Sequence, residues 1–563
     1  MSLLRTTLLT LACGLPFSNS LHNHNEASQK LEGLRTASKK VAIIGAGAGG
    51  ASAAYHLRQN ALERDLDVDI TVFERSAYVG GRSTTVYAWD APNVPIELGA
   101  SIFVSVNSIL VDAVNKFNLS IDNEDSLRTE NSPELGIWNG DEFVLQTPAH
   151  NGWWDIAKLL WRYGLAPIKT NRLMKSTVGK FLKMYEEPQF PFASLTDVVY
   201  DIGLAPVTAS TGEQYLKENG IGDKFANEII QASTRVNYAQ NLPLIHGLEA
   251  MVCMATDGAM AVEGGNWQIF DNMVQASKAD VRLNTTVQTI SKQSDGTYIL
   301  DSASASSEEL SNNGEAFDDI ILATPYQFSN IKFSPEPKHT PDAIPYVRLH
   351  VTLFASPFTL SPKAFNLEPS AVVPTFILTT LPPDESVGTD PNGVGKPGFF
   401  SISNVAESWN PTTGAPEYIY KIFSPARINS TFLSHILGTA PPDQGVEDLG
   451  QEFVSWIYRK EWNSYPYEYP RVTFEEIKLD EGLWYTSGIE SFISTMETSA
   501  LMGKNVARLV VDAWAKAEAN GEKIVEGKPM PKPKGGPAKI QAILEASKER
   551  EREKEEAEEG QDL

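Results

Sequence analysis

The stretch Val41-Ala-Ile-Ile-Gly-Ala-Gly-Ala-Gly-Gly50, running on into Ala51-Ser-Ala-Ala-Tyr-His-Leu57, decides the fold. Its leading apolar residues read as a buried strand, the glycines as a tight turn, and the alanine-rich remainder as the start of a helix. Gly45 permits the turn, Gly47 lets backbone come close to a pyrophosphate, and Gly50 lets helix and strand pack together. The helix start offers N–H groups and a positive dipole end to phosphates. A G-x-G-x-x-G pattern alone is weak, so its surroundings must carry the reading. A second strand, Asp69-Ile-Thr-Val-Phe73, ends at Glu74, at the spacing expected of a carboxylate that bonds ribose hydroxyls. Gly80-Gly-Arg-Ser83 then brings Arg82 and pliant backbone towards the same pyrophosphate. Together these predict a Rossmann-type dinucleotide-binding unit rather than a glycine-rich turn of another α/β protein.

At 563 residues the chain exceeds one hydrophobic core, and two packed domains are expected. A formal net charge of −24 excludes non-specific binding to nucleic acid or to an anionic membrane. Arg5 precedes the apolar run Leu8–Phe17, and the small residues Ser18 and Ser20 follow, so residues 1–20 read as a secretory signal peptide. No other stretch approaches the ~18–20 apolar residues of a membrane span. Sequons at Asn118, Asn284 and Asn429 are compatible with glycosylation on that route. Cys13 would leave with the signal peptide and Cys253 would remain alone, which excludes an intramolecular disulfide. Eight scattered histidines form no ligand pattern, and no metal is expected. The Pro/Lys/Gly-rich Gly527–Gly536 and the run Glu545–Leu563, with nine acidic and four basic side chains, make 517–563 a disordered or solvated charged tail.

The fold class expected is α/β, α+β overall, with a cofactor domain assembled from discontinuous segments. The first is 40–105. The second, 260–330, holds an alternating strand over Asp280–Ile290, a hairpin at Asp295-Gly296, and the buried run Phe317–Pro325. The third, 480–516, holds Leu483–Glu490 and a helix opening in Ser494–Gly503 and reaching Trp514. A substrate domain of mixed sheet and helices takes 106–259 and 331–479. Trp153–Tyr185 and Leu195–Ala255 are helical in period, and 341–480 alternates strand runs with proline-rich loops and the aromatic cluster Trp462–Tyr469.

The glycine fingerprint, the acid after the second strand, Gly-Gly-Arg, the distant strand before Ala323-Thr-Pro325 and a late Gly-x-Glu occur in an order that resembles the amine-oxidase-like FAD flavoproteins. Three stretches narrow this: Arg235-Val-Asn-Tyr-Ala-Gln240, Gly258-Ala-Met-Ala-Val-Glu-Gly-Gly-Asn266, and Tyr485-Thr-Ser-Gly-Ile-Glu-Ser491 with Met496-Glu-Thr-Ser-Ala500. They are similar to the prenylcysteine oxidase (prenylcysteine lyase) family, from about Lys40 to Trp514. Ser494-Thr495 departs from the amine oxidases, which often carry Gly and an aromatic residue there.

The resemblance implies an FAD-dependent oxidoreductase that cleaves the thioether of farnesyl- or geranylgeranylcysteine with oxygen and water. The products are cysteine, a prenyl aldehyde and hydrogen peroxide. It implies Gly45, Gly47, Gly50 and Arg82 at the pyrophosphate, Glu74 at the ribose, and Val287 at the adenine through its backbone. Glu490 would lie near the pyrophosphate and Met496 would open a helix aimed at the flavin's pyrimidine end. No attachment pattern surrounds Cys253, so FAD is expected to be non-covalent and Cys253 a small buried residue. Acid–base chemistry alone cannot cleave a thioether, whereas hydride loss from the allylic carbon is assisted by both sulfur and alkene, with the cofactor as acceptor. For the amino-acid head, Arg235 is the candidate partner of the carboxylate, the alternative being a structural arginine at a helix end. Glu263 would orient water or the ammonium group, or else be a packing turn, and Asn237 and Tyr238 are further candidates on the substrate side. No catalytic base is identifiable. Two other readings stay open: another FAD oxidase of this scaffold, such as an amine oxidase, and a non-catalytic flavin-containing lipid-binding protein. The compartment expected is the secretory pathway, ending in lysosome, vacuole or outside the cell.

Overall fold

The computed structural model describes residues 38–122, 133–148, 159–304, 310–311, 314–385, 388, 390–391, 393–443 and 445–519. The expected signal peptide and the tail from 520 onwards lie outside them, as do Trp153 and Trp154.

Strand β1 (Lys39–Ile44) is central in a six-stranded sheet. With β2 (Val68–Phe73), β3 (Asp280–Arg282), β4 (Asp319–Leu322), β5 (Lys478–Asp480) and β6 (Leu483–Tyr485), the order is β5-β6-β4-β1-β2-β3. Neighbours are parallel except for the antiparallel edge pair β5–β6. Val41 and Ile43 point into a core shared with helices, while Ala42 and Ile44 point into a second core on the other face. A strand covered on both faces has no solvent side, which is why its sequence is apolar without alternation.

Helix α1 (Ala48–Leu62) follows the glycine turn and lies against α2 (Met496–Ala519), from the far end of the chain. The two backbones nearly touch. A Cβ on Gly503 would stand 2.2 Å from the Gly49 carbonyl oxygen, and Ser52 Oγ donates to the Ala500 carbonyl at 2.6 Å. On the sheet side, the buried Asp319 carboxylate accepts from Trp484 Nε1 at 2.9 Å and Trp514 Nε1 at 2.8 Å. One carboxylate thus joins β4, β6 and α2. Segments near residues 40–73, 280–322 and 478–519 form a single sheet-and-helix unit.

A second, five-stranded sheet is built from Thr285–Lys292, Tyr298–Ser304, Leu310–Ser311 and Lys332–Ser334, with Ala316–Phe317 paired to Tyr298–Ser304. Here the expectation of one alternating strand over Asp280–Ile290 is corrected. Asn284 takes a left-handed conformation (φ 52°) and its N–H donates to the Ser76 carbonyl at 2.9 Å. That kink divides the segment between two sheets, with β3 before it and Thr285–Lys292 after it.

The remaining sheet has seven strands, in the order Trp456–Pro466, Tyr346–Ser356, Pro416–Ser424, Ser401–Trp409, Phe376–Thr379, Pro133–Trp138, Phe143–Pro148. The aromatic cluster beginning at Trp462 therefore starts in an edge strand. Helix Gln231–Tyr238 packs on the Phe376–Thr379 strand of this sheet, Gly247–Val252 packs on Ala166–Phe181 and Gly212–Glu218, and Leu195–Asp201 joins the core of the dinucleotide unit. Among the described residues no helix is long and apolar enough to cross a membrane.

Gly503→Ala is expected to force α1 and α2 apart, because the obstructing atom is backbone and cannot rotate away. The cost should be about 1–3 kcal/mol, as for other overpacked cores. A lowered unfolding temperature in a thermal melt checks it; an unchanged melt would mean that the helix pair separates freely.

Candidate functional site

The glycine turn opens on a cavity of about 1410 Å³. That exceeds the roughly 300–1,000 Å³ of a pocket for one small ligand, and gives room for a dinucleotide and a second molecule. Its first wall is the turn itself. Gly45 has φ 105°, which an L side chain would strain, and a Cβ on Gly50 would lie 1.9 Å from the Gly45 carbonyl oxygen. Gly47 caps α1 without any side-chain hydrogen bond and forms a parallel bridge with Gly80. Two glycine turns therefore meet edge to edge and present bare backbone to the cavity, a cradle fitted to a pyrophosphate.

Glu74, buried at the end of β2, lines the same space. Its Oε2 accepts from Ala46 N at 2.8 Å and its Oε1 from Ser76 N at 2.7 Å, so the carboxylate is held by the turn it serves. Arg82 and Glu490 also line the cavity and are ion-paired at 2.6 Å. Arg82 Nη1 donates to the Ser464 carbonyl at 2.6 Å, and Tyr346 Oη donates to Glu490 Oε2 at 3.1 Å. This pair locks the edge strand of the large sheet to the dinucleotide unit. Val287 is buried where the second sheet carries a bulge, and Met496 opens α2; both contribute to the lining. Seven of the eight residues expected at the cofactor line one cavity; Gly50 does not, and packs behind the turn against the Gly45 carbonyl.

The substrate-side candidates divide. Arg235 is fully buried and does not line the cavity. Its Nε donates to Thr379 Oγ1 at 2.9 Å, its Nη1 to Asn241 Oδ1 at 2.8 Å, and its Nη2 to the Val394 carbonyl at 2.7 Å. The guanidinium also lies over the Phe400 ring, 5.3 Å from its centre. Burial lowers its pKa to about 9, because only polar neutral groups and a distant Glu385 offset the lost hydration. The expectation that Arg235 binds a carboxylate is corrected: it ties a helix to a strand and a loop. Tyr238 does reach the cavity, with its hydroxyl donating to the Ser494 carbonyl at 3.2 Å and its ring 5.1 Å from Tyr465. Asn237 lines the cavity with its amide donating to the Ser233 carbonyl. Glu263 lies exposed in the turn pinned by Asn266, which donates to the Ala100 and Ser101 carbonyls and accepts from Val262 N. Cys253 is buried, free, and outside the cavity lining.

Two groups escaped the sequence. Lys421 and Glu97 both wall the cavity; the second appears in Pro95-Ile-Glu97, the first in the aromatic- and isoleucine-rich strand Pro416–Ser424. Behind Tyr238 lies a buried set: Glu249, Glu468 and His246, none exposed. His246 Nδ1 caps the helix Gly247–Val252 by accepting from Glu249 N, which fixes it as unprotonated there. Both carboxyl oxygens of Glu468 and one of Glu249 have no hydrogen-bond partner. Burial pushes both carboxyls up, with mutual repulsion adding to the rise at Glu468. The only signal in the sequence was Pro-Tyr-Glu-Tyr, an acid among aromatics.

A Rossmann-type sheet whose glycine turns share one cavity with a mixed-sheet domain defines a two-domain dinucleotide-binding fold. Solved structures agree: a triple mutant of putrescine oxidase has a TM-score of 0.52 at 14% identity, over 84% of this chain and 99% of that one. Cyclohexylamine oxidase from Brevibacterium oxydans IH-35A has a TM-score of 0.50 at 16% identity, over 85% and 100%. The family description "NAD(P)-binding Rossmann-like domain" matches residues 43–117, and "prenylcysteine lyase" matches residues 147–523. The chain belongs to the prenylcysteine lyase family. Among its relatives are farnesylcysteine lyase of Arabidopsis thaliana, 29% identical over 85% of this chain and 89% of that protein, and prenylcysteine oxidase 1 of Bos taurus, 30% identical over 85% and 90%. Prenylcysteine oxidase 1 of Homo sapiens is 27% identical over 91% and 94%.

The buried acids set a pH dependence. Burial raises Glu497 from 4.5 to about 7 despite hydrogen bonds from Ile109 N and Leu110 N, and it raises Glu97, Glu249 and Glu468 as well. A carboxyl held above its unfolded value gives stability that is whole below the unfolded pKa and drains as pH rises through the folded one. His246 acts oppositely: burial lowers it from 6.5 to about 3, so its contribution is lost as pH falls below 6.5. The unfolding temperature should therefore climb from about pH 8 to about pH 6 and flatten or turn below that. A melt series across this range checks the sign; a steady fall on acidification would show that these acids ionise freely in the fold.

Proposed function

We propose that this protein is an FAD-dependent thioether oxidase acting on prenylcysteine. One observation carries the reading. The cavity that begins at the glycine turns continues without a break onto an apolar face of the seven-stranded sheet, where Leu349, Val351, Phe376, Val405 and Phe423 line it. Burying ~15 isoprenoid carbons at roughly 0.8 kcal/mol per methylene yields strong binding from contact alone. Family membership and the names of the relatives support the same substrate class.

A bound flavin supplies the two-electron acceptor and delivers those electrons to oxygen as hydrogen peroxide. The chain's own residues hold the reacting carbon in place and control water. Sulfur and alkene share the positive charge left when hydride departs from the allylic carbon, and water adds there. The resulting hemithioacetal breaks its C–S bond to give aldehyde and thiol, so that prenylcysteine, O₂ and water become cysteine, prenyl aldehyde and H₂O₂. The Arg82–Glu490–Tyr346 set keeps the cavity's two walls in register. The start of α2, whose Thr495 and Thr498 hydroxyls bond one another at 2.9 Å, directs its N-terminal end at the cavity. Such an end favours negative charge developing on a reduced cofactor. FAD is proposed to be held non-covalently, since the only cysteine among the described residues, Cys253, is buried outside the cavity. The Arg5-led apolar run supports a secretory route, with the lysosome, the vacuole or the outside as its end.

Under anaerobic conditions farnesylcysteine is expected to bleach the bound flavin and release thiol and farnesal, with hydrogen peroxide appearing in air. Bleaching by a polyamine but not by farnesylcysteine would replace this reading with an amine oxidase, and bleaching by neither would favour a lipid-binding role. Glu74→Ala should weaken flavin retention by roughly 10–100-fold, since it removes charge-assisted hydrogen bonds of about 1.5–3 kcal/mol. Flavin absorbance after gel filtration measures this; full retention would reduce Glu74 to a brace for Ala46 and Ser76.

A further inference from the structure

With Arg235 consumed in the fold and Arg82 paired to Glu490, the substrate's carboxylate needs another cation. Strand Pro416–Ser424 alternates its side chains between two environments. Tyr420 and Ile422 enter an apolar core, whereas Lys421 and Phe423 turn to the cavity. Lys421 is 7% exposed. Its Nζ donates to the Glu97 carbonyl at 2.8 Å and to Ser101 Oγ at 2.8 Å, both neutral oxygens. Among the described residues no carboxylate oxygen lies within ion-pair distance of it, so both of its hydrogen bonds go to neutral oxygens and one of its three N–H groups is left over. Across the strands Lys421 faces Leu353 and Ser403, and the Phe423 ring centre lies 5.1 Å from its Nζ. Burial pulls its pKa below the ordinary lysine range, partly offset by Glu97. Glu97 supplies little countercharge, because burial drives its own carboxyl upward and its Oε1 is committed to Asn266 N. An ammonium so placed gains from any anion that arrives with the substrate.

We propose that Lys421 receives the α-carboxylate of the prenylcysteine head and thereby sets the cavity's preference for an amino-acid thioether over a neutral one. This rests on the prenylcysteine reading. Lys421 anchors from the wall of the large sheet, so the prenyl chain extends along the apolar residues of that sheet.

The test compares farnesylcysteine with S-farnesylcysteamine, which lacks only the carboxylate, on the FAD-loaded wild type and on Lys421→Met. For farnesylcysteine the variant should lose about 10–100-fold in kcat/KM, chiefly through KM, as for a lost charge-assisted hydrogen bond. With S-farnesylcysteamine the two proteins should agree within about twofold. Equal losses on both substrates would make Lys421 a structural tether or a proton carrier and overturn the proposal, as would no loss on either. A second arm needs no variant: S-farnesyl-3-mercaptopropionate should inhibit the wild type about tenfold or more tightly than ethyl farnesyl sulfide. Equal inhibition overturns the proposal even if Lys421→Met fails to fold. Absence of wild-type turnover of farnesylcysteine overturns the functional reading and this inference together, whereas turnover with unaltered substrate preference in Lys421→Met overturns the inference alone.

Discussion

Backbone meets backbone at two places in this molecule, and the rest of the structure depends on both. At the first, Gly50 faces the Gly45 carbonyl so closely that even a methyl group would collide. At the second, Gly503 faces Gly49 across the helix pair. The contacts are linked, since Gly49 and Gly50 are neighbours in the first turn of α1. The start of one helix is thus clamped between a strand on one side and the carboxy-terminal helix on the other. Dispersion forces act at the shortest range there, and no side chain can adjust to relieve a misfit. The cradle's shape follows from that clamp, and so does the position of α2's first turn at the cavity.

The sequence made the dinucleotide unit legible because its signals are local. Strand, turn and helix lie within about twenty residues, and each glycine there has its own steric reason. The edges were harder. β3 and Thr285–Lys292 read as one strand because asparagine's left-handed conformation at position 284 leaves no trace in an alternating pattern. Arg235 looked like a ligand-binding residue because its partners, Thr379 and Val394, are 144 and 159 residues away. Lys421 was invisible for the same reason: it meets Glu97 and Ser101 across 324 and 320 residues. A lone lysine in a strand reads as solvent-facing, and only the assembled sheet shows that this one points inward.

Charge in the interior is distributed to match. The arginine expected to serve the substrate is saturated with neutral acceptors, and burial raises the pKa of the acids behind Tyr238. Interior polar groups of this kind are costly when unpaired. Asp319 is the structural counterpart: it too is buried, but two indole N–H groups satisfy it, and it lies away from the cavity.

The six-stranded sheet is closed by β6 at residues 483–485, although its central strand is finished by residue 44. A ribosome delivers the chain from its amino end, so the cofactor cradle cannot exist until nearly the whole polypeptide has emerged. Meanwhile β1 and β2 pair with each other, but their outer edges wait for β4 at 319–322 and β3 at 280–282. Such long-range pairing is slow and leaves sticky strand edges bare. Loading of the cofactor is therefore a late event in the life of each molecule, and a nascent chain stalled before residue 483 has neither a complete sheet nor the clamp that α2 provides.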